Sequence, residues 1–268
     1  MITVPFNKNL PKIVFSDLDG TLLDHDTYSF QESSPGIDLL KKYQIPLILT
    51  SSKTLQEMKK IKSLLKINYP FIFENGGGIF ISEGKTELLG VPVSKLQEKK
   101  DLLVRLLQKP IKTIIEMDLP ELEKKTGLKK EKVVLAKKRK VSLPFIILAK
   151  EPKVNLTEVN KKLKKENLHL TKGGRFFHLS SLQATKGEAV KKIIKLYETE
   201  KSKKFYSLAF GDSENDISMF QQVDLAFLVK KNEKITSVYD LKNLIITKEK
   251  GPKGFTEGIN KILANENL

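Results

Sequence analysis

Cysteine is absent from the 268 residues, which excludes disulfides, thiolate nucleophiles and cysteine metal sites. No apolar stretch approaches the roughly 18 residues that a membrane helix needs, so no membrane partner is expected. The opening run MITVPFNKNLPK lacks the charged-then-apolar layout of a signal peptide. Together these absences point to a cytoplasmic protein. Acidic residues are outnumbered: 48 Lys and Arg stand against 32 Asp and Glu, a formal net charge of +16. The excess is concentrated in residues 91–172, with 22 basic against 10 acidic side chains. Such a surplus can mark a nucleic-acid partner. Few aromatics interleave with these lysines, which argues against one. Runs such as KKLKKE (161–166) and KKEKVVLAKKRK (129–140) read instead as solvated helix faces, or as a field that steers an anionic substrate.

What is present is alternation. KIVFSDLD reads as a buried strand ending in acids, and SSPGIDLLKKYQ as a helix with a Ser cap and an early Pro. PLILTSS is a second strand, followed by a helix with Leu55, Met58, Ile61, Leu64 and Leu65 at helical spacing. PFIFENGG is a third strand closed by glycines, and GIFISEGKTELLG a hairpin around Glu83-Gly84-Lys85. From Ala184 the rhythm returns: helix TKGEAVKKIIKLYE, strand FYSLAFGD, helix SENDISMFQQ and strand VDLAFLV, then the turn GPKG before the helix FTEGINKIL. The pattern predicts an α/β fold with a parallel sheet. Its core is discontinuous, from residues 1–83 and 183–268, with an α/β domain inserted at 84–182.

Asp17 and Asp19 flank Leu18 at the end of the first strand, where parallel α/β sheets bind ligands. Asp212 and Asp216, in GDSEND, form a second acidic cluster at a second strand end. Two such clusters can jointly hold a hard divalent cation, and magnesium takes carboxylate oxygens and substrate phosphate. The plain alternative is that these acids, with Asn215, cap a helix.

FSDLDGT with GDSEND resembles the haloacid dehalogenase superfamily of aspartate-nucleophile phosphatases, which have a Rossmann-like core. The resemblance implies that Asp17 attacks phosphorus and that Asp19 is the general acid and base. It implies a magnesium ion on Asp17, Asp19 and Asp212, with Asn215 and Asp216 as ligands or supports. It also implies a hydroxyl after the second strand, assigned to Ser51 with Thr50 and Ser52 as near alternatives, and a phosphoryl-binding lysine, Lys186, beside Gly187. The inserted segment looks like a type IIB cap. LTSSKT (49–54), PFIFENGG (70–77), the run Ala136–Phe145, GGRFFHL (173–179) and GPKGF (251–255) are similar to the mannosyl-3-phosphoglycerate phosphatases. The run Ala136–Phe145 departs from that pattern at Leu143, where the family has an acid.

That resemblance implies a small sugar-glycerate phosphate as substrate, with the mannosyl and glucosyl esters both open. Arg175 can grip a carboxylate with two hydrogen bonds, with His178 on the same face of one strand. Gly173 and Gly174 allow close backbone approach. Glu74 and Asn75 could bind sugar hydroxyls, and Lys53 the anionic end. Arg139 and Ser142 are further candidates. Four of these have a bland alternative: Glu74 and Asn75 as turn stabilisers, His178 as a core histidine, Arg139 as a surface residue.

Overall fold

The computed structural model describes residues 9–150, 153–173, 175–231 and 241–264. In chain order its elements begin with β1 (Lys12–Asp17), α1 (Ser34–Lys42), β2 (Leu47–Thr50), α2 (Leu55–Leu64), β3 (Phe71–Phe73), β4 (Gly78–Ser82) and β5 (Lys85–Leu88). Then come α3 (Val93–Gln97), α4 (Lys100–Leu107), β6 (Ile111–Thr113), α5 (Leu119–Thr126), α6 (Lys130–Ala136), β7 (Ser142–Ile147), α7 (Leu156–Leu163), β8 (Leu168–Lys172) and β9 (Phe177–Ser181). The chain closes with α8 (Lys186–Lys201), β10 (Tyr206–Gly211), α9 (Ile217–Phe220), β11 (Leu225–Lys230), β12 (Leu244–Lys250) and α10 (Gly251–Ala264). They fall into two compact units. The described residues of one lie within Met1–Ser51, Ile67–Ile72 and Thr185–Leu268, and those of the other within Ser52–Lys66 and Phe73–Ala184.

In the first unit β12, β11, β10, β1, β2 and β3 pair in that order, all parallel. Strands buried on both faces need unbroken apolar runs, and β1, β2 and β10 are buried along their whole length. Phe210 stacks on Phe227 at 4.7 Å and meets Phe255 of α10 at 4.9 Å. Rings at these separations add about 0.5–1.5 kcal/mol beyond their area.

Three local expectations are corrected. The sequence GPKG is no turn; it forms the first turn of α10, where a proline needs no N–H partner. Ser33 does not cap α1: its hydroxyl donates to Leu22 O and Phe30 O. Leu64 is exposed although it follows the helical spacing, because it sits at the last turn of α2, off the buried stripe of Leu55 and Met58.

The second unit holds the hairpin β4–β5, with Ser82 opposite Lys85 across Glu83-Gly84 and Gly84 at φ +77. Its main sheet, ordered β6-β7-β9-β8, is antiparallel. Alternation along the strands sends Leu143, Phe145, Leu170, Phe177 and Leu179 into a core with Leu96 and Leu103. Leu143 is wholly buried there, so the position that departs from the family pattern faces the core, away from Ser142. The opposite face carries Ser142, Pro144, His178, Ser180, His169 and Thr171, in register across β7, β9 and β8. The lysines of α7 and its following turn, Lys161, Lys162, Lys164 and Lys165, are exposed, as solvated helix faces should be.

Candidate active site

The chemistry-bearing residues of the first unit gather where β1, β2 and β10 end. Asp17 is the last residue of β1 and pairs in register with Thr50 of β2. The chain then reverses at once: Leu22 and Leu23 N–H both return to Leu18 O, at 3.0 and 2.7 Å. Gly20 permits this turn. Its φ is +83, and a side chain there would collide with Asp212. Asp19 follows half-buried, and Asp212 lies one residue past β10.

Lys186 opens α8 behind the cap Thr185, whose hydroxyl accepts from Glu188 N–H. Its ammonium is buried, 2.6 Å from Asp17 Oδ1 and 2.7 Å from Asp216 Oδ1. Gly187 beside it lets α8 pack closely on the Ser218 carbonyl, which any Cβ would strike. The second oxygen of Asp216 accepts from the N–H groups of Asp212 and Ser213 and from the Ser213 hydroxyl, at 3.0, 3.0 and 3.1 Å. Asp216 therefore shapes the loop that carries Asp212. Asn215 sits half-buried in the short 3-10 turn between them. Ser51 is buried next to Thr50, and Thr50 Oγ1 has no hydrogen-bond partner among the described residues.

Three acids this close disturb one another. Burial, partly opposed by Lys186 and reinforced by Asp216, Asp212 and Asp19, pushes Asp17 up to about 8. Burial and Asp216 push Asp212 up to about 6 against the pull of Lys231. Burial alone would lower Lys186, but Asp17 and Asp216 overcome it and hold the ammonium charged. Oxygens of Asp17, Asp212 and Asp216 lie within 4.8 Å of one another. This all-oxygen donor set, with a surplus of negative charge, fits a hard divalent cation.

The second unit contains the other predicted residues, in two places. Glu74 and Asn75 adopt positive φ, +50 and +56. The Glu74 carboxylate is buried and accepts from Lys140 N–H, Val141 N–H and the Ser142 hydroxyl at 2.8, 3.0 and 2.6 Å. Glu74 N–H donates to Lys53 O at 2.9 Å, and Asn75 Oδ1 is buried with no partner among the described residues. Arg139 donates to Ser52 O at 2.6 Å and lies 3.5 Å from the Ser142 hydroxyl. His178 is half-buried in β9. Its desolvation, with the Arg139 guanidinium nearby, pushes it down to about 3. Gly173 approaches the His178 ring closely, within 3.0 Å of any Cβ it could carry.

Arg175 is apart from this group. It precedes β9 instead of sharing a strand face with His178, is exposed, and donates to Lys125 O at 2.9 Å. Gly174 lies outside the described residues. Sequence reasoning overlooked Lys231, which pairs with Asp212 Oδ2. The available signal was a lysine directly after the apolar strand LAFLVK.

A parallel α/β sheet that gathers buried aspartates and a buried lysine at its carboxyl edge defines a phosphoryl-transfer hydrolase of the haloacid dehalogenase type. The sequence profile of the haloacid dehalogenase-like hydrolases matches residues 14–237. A glucosyl-3-phosphoglycerate/mannosyl-3-phosphoglycerate phosphatase of Persephonella marina is 34% identical over 94% of this chain and 97% of its own. One of Methanococcoides burtonii is 33% identical over 95% and 98%. A solved haloacid dehalogenase subclass IIB sugar phosphatase superposes with a TM-score of 0.64 at 14% identity, covering 96% of this chain and all of its own. The chain belongs to the haloacid dehalogenase-like hydrolases, in the family of the glucosyl-3-phosphoglycerate/mannosyl-3-phosphoglycerate phosphatases, and it is a phosphatase. No described helix is long and apolar enough to cross a membrane.

Proposed function

We propose that this chain is a magnesium-dependent cytoplasmic phosphatase that releases phosphate from mannosyl-3-phosphoglycerate and from its glucosyl counterpart. The observation that carries the reading is identity to the Persephonella enzyme over 94% of the chain, a span too long for the hydrolase core alone. That relative's name includes both sugars, which favours a dual substrate.

In this reading Asp17 is the nucleophile. Its carboxylate oxygen bonds to phosphorus as the bond to the glycerate oxygen breaks, and Asp19 gives that oxygen a proton. Asp19 then takes a proton from water as the water oxygen attacks the aspartyl-phosphate. Phosphate leaves and Asp17 is regenerated. Ser51 and Lys186 hold the transferring phosphoryl oxygens. Asp17, Asp19 and Asp212, with Asn215 and Asp216 beside them, would hold a magnesium ion, which would supply charge neutralisation for the phosphoryl transfer.

Residues 1–83 and 183–268 form the catalytic core in this account, and 84–182 the cap that selects substrate. Arg139, Ser142, His178, Asn75 and Lys53 recognise the glycosylglycerate, with Glu74 supporting them through the Ser142 hydroxyl. The test is a phosphate-release comparison of mannosyl- and glucosyl-3-phosphoglycerate with common sugar phosphates, in magnesium. Preference for the two glycosyl esters supports the reading, and equal turnover of all would leave a broad sugar-phosphate phosphatase.

A further inference from the structure

Lys231 follows β11 at the carboxyl edge of the parallel sheet, the edge on which Asp17 and Asp212 also lie. Its ammonium forms an ion pair with Asp212 Oδ2. Asp212 is buried, whereas the Lys231 side chain is about one-third exposed, at 34%. The lysine stem passes beside Gly20: a Cβ at Gly20 would meet Lys231 Cε at 3.4 Å and would overlap the Asp212 carboxylate. Lys231, Asp212 and the turn after Asp17 thus form one packed group. This cation is distinct from Lys186, which serves Asp17 and Asp216.

An ammonium and a divalent ion drawn to one carboxylate repel each other. At a few ångströms that repulsion is appreciable even in a partly solvated setting. A lysine held on Asp212 therefore opposes any ion on the same carboxylate. We propose that Lys231 is a tethered cation that shares Asp212 with the catalytic divalent ion and sets how tightly that ion is held. The proposal rests on the magnesium site described above. Its consequence is an enzyme whose ion occupancy follows magnesium concentration. Lys231 acts here on the metal site alone, with no part in bond making.

The test is calorimetric titration of the full chain with magnesium, for the wild type, Lys231→Met, Lys231→Gln and Lys231→Arg. Methionine keeps the stem beside Gly20 without the charge, and glutamine is a second neutral variant if methionine folds poorly. Thermal melting of each variant reports folding. The expected result is about tenfold tighter magnesium binding in both neutral variants, with Lys231→Arg close to wild type. Equal or weaker binding in folded neutral variants overturns the proposal while leaving the metal site intact. Failure of the wild type to bind magnesium overturns both the site and the proposal.

Discussion

The Lys186 ammonium bridges Asp17 Oδ1 at 2.6 Å and Asp216 Oδ1 at 2.7 Å, and all three side chains are largely withdrawn from water. Removing one partner of such a group leaves uncompensated charge in a low-dielectric site, typically at a cost of about 3–5 kcal/mol. Lys186→Met is expected to lower the denaturant midpoint accordingly. Its phosphate release should fall by a factor of roughly 10²–10³, as when a charge-stabilising donor is deleted. A folded variant that keeps more than half its activity would remove Lys186 from the phosphoryl site.

Magnesium binding should expel protons. Burial and the neighbouring acids push Asp17 up to about 8 and Asp212 to about 6, so near pH 7 the protein groups alone retain a proton. A hard dication requires the carboxylates ionised, and binding then releases about one proton. Both values are raised, so magnesium affinity should climb as pH rises toward about 8 and flatten above it. Titration in buffers of different ionisation enthalpy measures the release directly. Buffer-independent heats would show that Asp17 is already ionised.

Much of this site was legible as motifs, for a physical reason. An apolar strand that ends in DLDGT, or in GDSEND, names both the element and the chemistry at its tip, because the strand itself fixes where the side chains go. Lys186 was legible because TKGE reads as a cap followed by a helix start. The illegible parts depend on distant chain segments meeting. Glu74 looked like a strand-end acid suited to sugar hydroxyls, yet it holds the backbone at Lys140 and Val141, 66 and 67 residues later. Arg175 and His178, three apart, do not share a strand, because β9 begins only at Phe177. Lys231 was hidden among a lysine excess in which most cations are solvated.

Glu74 gives a sharp structural prediction. Its carboxylate accepts from two backbone N–H groups and one hydroxyl inside the second unit. Glu74→Gln keeps the shape but replaces one acceptor oxygen with an N–H₂ group facing a donor. Buried mismatches of this kind cost about 1–3 kcal/mol. Turnover of p-nitrophenyl phosphate, which lacks the sugar and glycerate, should survive better than turnover of glycosyl-3-phosphoglycerate. Proteolysis and melting would report the loosened second unit. An unchanged melting point would mean these bonds contribute nothing net.

His178 makes the second unit sensitive to acid. Its folded value is depressed to about 3 by burial first and by Arg139 second, against about 6.5 for an unfolded histidine. Between those values the unfolded chain binds a proton that the folded chain does not. The contribution of neutral His178 is therefore complete above about pH 6.5 and is lost progressively as pH falls toward 3. Because the ring is only half-buried, the slope should stay well under the ~1.4 kcal/mol per pH unit of a fully sequestered group. His178→Gln should melt near the wild type at pH 7.5 and lose less stability on moving to pH 4.5. Melting curves of both proteins across that range decide the point, and parallel losses would show that His178 is free to protonate in the folded protein.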